Sequence, residues 1–382
     1  MKIREIRGPR PNSHFVVVRC PELFYIKQMK IWSMQIDHPD ADYCREMLTK
    51  VSRTFAPTIR MLPKRLCLTV TVAYLLCRIA DTVEDEACIQ TAEKEELLLT
   101  YADILKRGEA VHTANFLRGV APIPDHNADV ILAKNLQRVL NVYATFHPEV
   151  QKMIATWVVE MTLGMKKYAQ SSAERKEQFL RSMKELDEYM YFVAGTVGHL
   201  LTSLFTYFSK KITPAIAKKL EVFSESFGKG LQLVNIIRDM AGDLKRGQSY
   251  IPDEILQKYH LTRQSIFEAK NKDNAEQLFD ELIQTAINHL DKAMAYVVNI
   301  PKEETRIRIF CLLPIFWAMQ TLSAIQENRI NLLRPEKVKI SRRVIRKEFY
   351  KTLILTFSNR LSIRHYLKIR KNLALAPVTA VY

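Results

Sequence analysis

The chain has 382 residues, with 57 Lys and Arg against 41 Asp and Glu, a formal charge of +16 and 48% hydrophobic residues. This is the balance of a globular protein, and only 10 glycines leave few of the flexible turns that barrels, sandwiches and Rossmann crossovers need. The one Gly-x-Gly, Gly228 to Gly230, lies inside a helical pattern, and no Gly-x-x-x-x-Gly-Lys-Ser/Thr occurs, so dinucleotide folds and P-loop enzymes are excluded.

Residues 1–37 lack helical periodicity and read as an irregular extension. The apolar run 15–18 stops at Arg19, too soon for a signal peptide, so a cytoplasmic location is expected. Helical spacing begins at Asp40, is punctuated by Pro57 and Pro63, and predicts a helix over about 65–86. Gly108, Gly119, Pro122 and Pro124 mark 107–127 as loop. Helices follow at about 128–145, 148–169, 183–208 and 213–244, then a break at 246–252, then helices near 263–299 and 303–328. An all-α fold is expected, with an extension at 1–37, a catalytic domain at 38–328 and a basic segment at 329–382. Cys20, Cys44, Cys67, Cys77, Cys88 and Cys311 form no Cys-x-x-Cys, and the histidines have no zinc spacing, so buried free thiols are expected.

The positive charge is concentrated at one end. From Arg329 to Tyr382 there are 14 Lys and Arg against Glu336 and Glu348, leaving +4 on everything before Arg329. A nucleic-acid enzyme would carry basic surface across its fold, so no nucleic-acid partner is expected. No apolar stretch in this tail reaches the ~20 residues that span a bilayer. Ile345, Phe349, Leu353 and Phe357 instead recur every four residues among Arg343, Arg346, Lys347 and Lys351. That pattern is a basic amphipathic helix, suited either to lie on an anionic membrane or to pack on the protein.

Two constellations carry chemistry. Arg78, Asp81 and Asp85 lie on one helical face, where hard carboxylates one turn apart can hold magnesium and an arginine can take phosphate charge. Alone, such a pair is usually a solvated helix end. Gln232, Asn235, Asp239 and Asp243 form a second polar stripe on an otherwise apolar helix, with Arg238, Lys245 and Arg246 nearby. Two such stripes suit ionisation of an allylic diphosphate, in which magnesium and arginine stabilise the leaving group and an apolar chamber shelters the carbocation. Neither segment has the loop pattern of an EF-hand.

Asp81-Thr82-Val83-Glu84-Asp85 with Asn235-Ile236-Ile237-Arg238-Asp239 through Asp243 resembles the squalene and phytoene synthase family. Ser52-Arg53-Thr54-Phe55, residues 189–198 and Phe310-Cys311-Leu312-Leu313-Pro314 follow in the family's order, and the resemblance covers about residues 40–345. It implies an isoprenoid-synthase helical fold with a central cavity between two Asp-rich helices. It also implies magnesium on Asp81, Asp85, Asp239 and Asp243, and substrate contacts from Ser52, Phe55, Arg78, Gln232, Asn235 and Arg238. Tyr189 matches a tyrosine that handles protons or cations, Arg78 would assist diphosphate departure, and Phe310 would line the second-step site. Gly195 and Gly198 would admit either a packed helix or the substrate chain.

Within the family, the segment from Phe310 resembles that of the branch that joins two farnesyl diphosphates and reduces the intermediate with NADPH, and the resemblance implies a cofactor held by Lys337, Lys339 and Arg342. Three departures keep a phytoene or dehydrosqualene synthase working without NADPH as the alternative. Gly242 stands where a glutamate is usual, Ile315 replaces a glutamine, and 246–252 looks closer to the phytoene-type pattern. A catalytically silent helical binding protein is the alternative from another class. The stretch before Asp37 has no counterpart in the family pattern, which makes Met29 or Met34 a candidate start.

Overall fold

The computed structural model describes residues 38–86, 88–175, 178–245, 247–327 and 338–373, with side chains omitted for 170–175 and 178–179. The 1–37 extension, Arg246 and Lys337 lie outside the described residues.

The chain enters through α1 (Pro39–Val51) and the short α2 (Phe55–Ile59), which lead into α3 (Lys64–Asp85). Pro63 precedes the first turn of α3, where a missing N–H costs nothing. Buried residues occupy nearly every position of α3 from Leu66 to Glu84, so this helix is central rather than amphipathic. Helix α4 (Thr91–Arg107) ends at Gly108, whose φ of 68° closes the helix in the left-handed conformation that glycine adopts without strain.

The segment expected to be loop at 107–127 instead contains α5 (Ala110–Val120). Thr113, Phe116 and Val120 recur at three and four spacings and are buried, so packing overrides the glycine signal. Gly119 is there for contact, because a Cβ on it would lie 2.5 Å from Leu97.

The expected 128–145 helix divides into α6 (Ala128–Lys134) and α7 (Leu136–Tyr143), and α8 (Pro148–Arg175) follows. A two-residue strand β1 (Gln178–Phe179) precedes α9 (Met183–Met190), a π-helical turn (Tyr191–Gly195) and α10 (Thr196–Phe208). Helix α11 (Pro214–Lys245) carries the second polar stripe and ends beside β2 (Gln248–Ser249), which pairs in parallel with β1. Helix α12 (Asp253–Lys258) and two 3-10 turns lead to α13 (Lys272–Asn299) and α14 (Thr305–Glu327). The tail forms α15 (Arg342–Leu355) and α16 (Asn359–Lys371).

Helices α11 and α13 pack along much of their length, and α8 packs on α3, α4 and α10. The contact of α10 with α11 is unusually close. A Cβ on Gly198 would fall 1.9 Å from the Ser224 carbonyl oxygen, and one on Gly228 would fall 2.0 Å from that of Ala194. Of the two roles open for Gly198, helix packing is therefore the one observed. Helices α3 and α14 are long and apolar enough to cross a membrane, but most of each is buried in the bundle, as expected of core helices.

The tail is tied to the body by buried polar groups. Arg308 of α14 is fully buried and donates to the carbonyls of Val297, Ile300 and Thr356 and to Asn359 Oδ1. Glu348 accepts from His365 at 2.6 Å and from Gln320 at 3.1 Å, while Tyr366 donates to Asp291 at 2.7 Å. Phe349 and Leu353 pack on Ile309, Leu313 and Trp317. Cys44, Cys67, Cys77 and Cys311 are buried free thiols, whereas Cys88, in the turn after α3, is exposed, contrary to expectation.

Candidate active site

The C-terminal turn of α3 concentrates negative charge that the protein does not fully neutralise. Asp81, Glu84 and Asp85 project within one turn, and Asp81 is 3.7 Å from Arg78. Burial pushes the Asp81 carboxyl up to about 7, reinforced by Asp85 and Asp129 and opposed by Arg78. Glu84 is buried, its Oε1 has no hydrogen-bond partner, and burial with Asp85 and Asp81 raises its carboxyl well above the usual range. Lys94 is close by, but its ammonium donates to the Glu84 carbonyl at 2.6 Å.

Arg78 does not point its charge into open space. It grips Asp129 of α6 through Nε and Nη2 at 2.8 and 3.2 Å, a bidentate pairing between helices distant in sequence. Ser52, expected at the substrate, is buried and accepts the N–H of Phe55 at 3.1 Å, which caps α2. Phe55 is half-buried with its ring 6.1 Å from that of Tyr74.

On α11, Arg238 pairs with Asp239 through two 2.8 Å contacts, and Asp243 is buried. Gln232 and Asn235 are half-buried, and no side-chain hydrogen bond is seen for either among the described residues. Amides held in this way on a helix are available to a polar ligand.

Two tyrosines join the acidic ends of α3 and α11. Tyr189, near the end of α9, stacks on Tyr250 with centroids 4.8 Å apart and planes 21° apart, and Tyr168 meets its edge at 5.2 Å. Burial raises both hydroxyls well above the usual tyrosine range and keeps them neutral. Glu84 and Asp85 act electrostatically on both rings, while Asp243 acts on Tyr250. The α3 carboxylates and the α11 carboxylate therefore lie within electrostatic reach of one aromatic pair.

Backbone geometry sets that pair. Pairing of β1 with β2, and donation from Asp253 N to the Leu180 carbonyl at 3.0 Å and from Glu254 N to that of Arg181 at 2.9 Å, hold 248–254 against the start of α9. Tyr250 is thereby placed over Tyr189 although all of α10 and α11 intervene in sequence.

Glu84 and Tyr250 were not singled out by side-chain spacing, although both lie inside quoted motifs; Asp129 lies in none. Phe310 is buried in α14, edge-on to Phe205 at 5.8 Å. No described contact links it to the tyrosine pair. Lys339 and Arg342 are exposed at the approach to α15, next to Ile340, which packs against the cluster that also holds Met61.

Among the described residues no three metal-binding side chains converge into a ready-made cage. The acidic groups still fit a hard divalent cation. Glu84 offers a buried oxygen without a partner, Asp81 resists ionisation until positive charge arrives, and all the donors are carboxylate oxygens.

With this geometry in hand, the sequence matches the family model described as squalene/phytoene synthase over residues 48–344. The chain belongs to that family. It is 32% identical over 346 residues to the squalene synthase of Eremothecium gossypii, covering 87% of this chain and 72% of that protein. It is 29% identical over 329 residues to the probable squalene synthase of Neurospora crassa, covering 84% and 66%. With the squalene synthase of Saccharomyces cerevisiae it shares 29% over 287 residues, covering 75% and 62%. The chain thus spans about two thirds of the length of these curated relatives.

Among solved structures, the complex of TcSQS with the ligand E5700 superposes with a TM-score of 0.75 at 22% identity, covering 90% of this chain and 93% of that one. A dehydrosqualene synthase complex gives 0.59 at 21%, covering 89% and 99%. Both show the isoprenoid-synthase helical fold in this family member.

Proposed function

We propose that this chain is a squalene synthase, a transferase that condenses two farnesyl diphosphates head to head and reduces the resulting presqualene diphosphate. The observation that carries this reading is the stacked Tyr189–Tyr250 pair, near enough to Glu84 and Asp85, and at Tyr250 to Asp243, for their charge to act on it. Carboxylates for a diphosphate–metal complex and aromatic faces for a carbocation belong together only where both species form. The named relatives support the choice within the family.

When bound, magnesium would neutralise the departing diphosphate and NADPH would supply the reducing equivalent. Asp81, Glu84 and Asp85 on α3, and Asp239 and Asp243 on α11, are the groups that would hold magnesium. Asn235 and Gln232 would donate amide hydrogens to diphosphate oxygens. Arg78, fixed by Asp129, and Arg238, fixed by Asp239, would add positive charge without the entropy of a mobile arginine. Stacked Tyr189 and Tyr250 shield the cation from water and offer it their π faces. Because burial keeps the Tyr189 hydroxyl neutral, it is suited to hold a proton rather than to act as a standing base.

Lys339 and Arg342, for which no ion pair is seen among the described residues, are the groups that would take the phosphates of NADPH. The fold offers no dinucleotide crossover, so helix-end basic residues are the available ligands. The product is apolar enough to partition into a bilayer, which is consistent with work at a membrane surface.

Incubation with farnesyl diphosphate and magnesium, with and without NADPH, followed by hydrocarbon mass spectrometry, tests the reading. Squalene formed only with NADPH is expected. Dehydrosqualene formed regardless of NADPH would assign the chain to the phytoene-type branch, and no hydrocarbon would make it a binding protein.

A further inference from the structure

The tail helix was expected to have a single apolar stripe at Ile345, Phe349, Leu353 and Phe357. At about 100° per residue, each step of four advances about 40°, so a four-residue repeat drifts around the helix. Phe349 and Leu353 pack on α14, whereas Phe357 lies in the turn just past the end of α15, where that side chain is 63% exposed. A different face emerges, with Tyr350 48%, Ile354 69% and Leu361 44% exposed. Large apolar side chains grouped in this way on a surface mark an interaction site.

The surroundings of this patch identify its partner. Between Val338 and Leu373 there are eleven Lys and Arg, and the one acid, Glu348, is buried and paired with His365. On α15, Arg343, Arg346 and Lys347 are exposed on the turns leading to Tyr350 and Ile354. On α16, Arg364, Lys368 and Lys371 continue the exposed stripe beyond Leu361. A second copy of this chain would bring the same positive charge against itself, and a soluble acidic protein would have no need of the protruding Ile354 and Phe357. An anionic bilayer satisfies both features, taking the apolar tips below its headgroups and the basic flanks among them.

We propose that the elbow between α15 and α16 is an interfacial anchor that inserts Tyr350, Ile354, Phe357 and Leu361 into an anionic membrane surface. The buried bonds of Arg308 and Glu348 hold both helices to the body, so the anchor is preformed and docks the folded enzyme in one orientation. This claim is independent of the reaction assigned above.

The test is co-sedimentation of the full chain with vesicles of phosphatidylcholine alone or of phosphatidylcholine mixed with phosphatidylserine, each at low and at high salt. Two double variants are compared with the parent, Ile354→Ser with Phe357→Ser, and Arg343→Glu with Arg346→Glu. Binding selective for the anionic vesicles, weakened by salt and reduced at least tenfold in each variant, is expected, with circular dichroism unchanged. Parent protein that stays in the supernatant, or variants that bind as well as the parent, would overturn the proposal. So would a dimer in light scattering that dissociates on substituting Ile354 and Phe357, since a second copy would then own the patch.

Discussion

At the last turn of α3 three carboxylates crowd together, Glu84 buried, Asp81 half-buried and Asp85 exposed, and each responds according to its surroundings. Glu84 keeps its proton well beyond the usual carboxylate range because burial and its acidic neighbours oppose ionisation. Glu84→Gln should therefore change metal-free stability by less than about 1 kcal/mol, the range of a near-isosteric swap. The stabilisation from saturating magnesium, about 2.7 kcal/mol at 100 times Kd, should shrink in the same variant. Thermal melts with and without magnesium measure both, and an undiminished magnesium shift would take Glu84 out of the metal site. Asp81→Ala or Asp239→Ala should cut product formation by at least about 100-fold while leaving the helical circular-dichroism signal intact. Retained turnover in either would remove that residue from the assignment. Asp129 was not legible beforehand, because its value lies in Arg78, a partner on a helix far off in the chain.

At the scale of elements, the approach of α10 to α11 has no slack. Gly198→Ala forces a methyl onto the Ser224 carbonyl oxygen, a backbone atom that cannot swing aside. A loss of about 3 kcal/mol or more is expected, the upper end of overpacking costs, by urea denaturation. Gly164→Ala would put its methyl 2.1 Å from Cγ and 2.4 Å from Cβ of Phe192, so that ring would have to shift. Docking of α15 is pH-dependent through Glu348, which faces Gln320 on α14, Lys351 on its own helix and His365 on α16. Burial alone would raise this carboxyl, but His365 and Lys351 outweigh it and the net shift is downward. A lowered folded value stabilises docking above the ordinary glutamate range and is lost as pH falls through the lowered value. Hydrogen-exchange protection in α15, referred to the intrinsic exchange rate at each pH, should therefore fall on acidification, and Glu348→Gln should abolish that acid step. The loop expected at 107–127 shows the limit of local signals here, since Gly119 serves contact with Leu97 and not a turn.

Across the whole molecule, the basic tail is part of the catalytic body in its energetics. A fully buried arginine whose hydrogen bonds reach both the end of α13 and the elbow of the tail makes separate unfolding costly, because it would strand a charge. Calorimetry should show one transition for the described unit beginning at Pro39, and two resolved transitions would contradict this. Amino-acid order alone determined the all-α class, the scarcity of turns, the two acidic stripes and the family, because helical periodicity and carboxylate spacing are local properties. Tertiary structure alone decided that Tyr250 covers Tyr189 and that Asp129 holds Arg78. It also decided which face of the tail meets solvent. These depend on distances between residues far apart in the chain, and on a four-residue repeat that drifts around a helix of about 3.6 residues per turn.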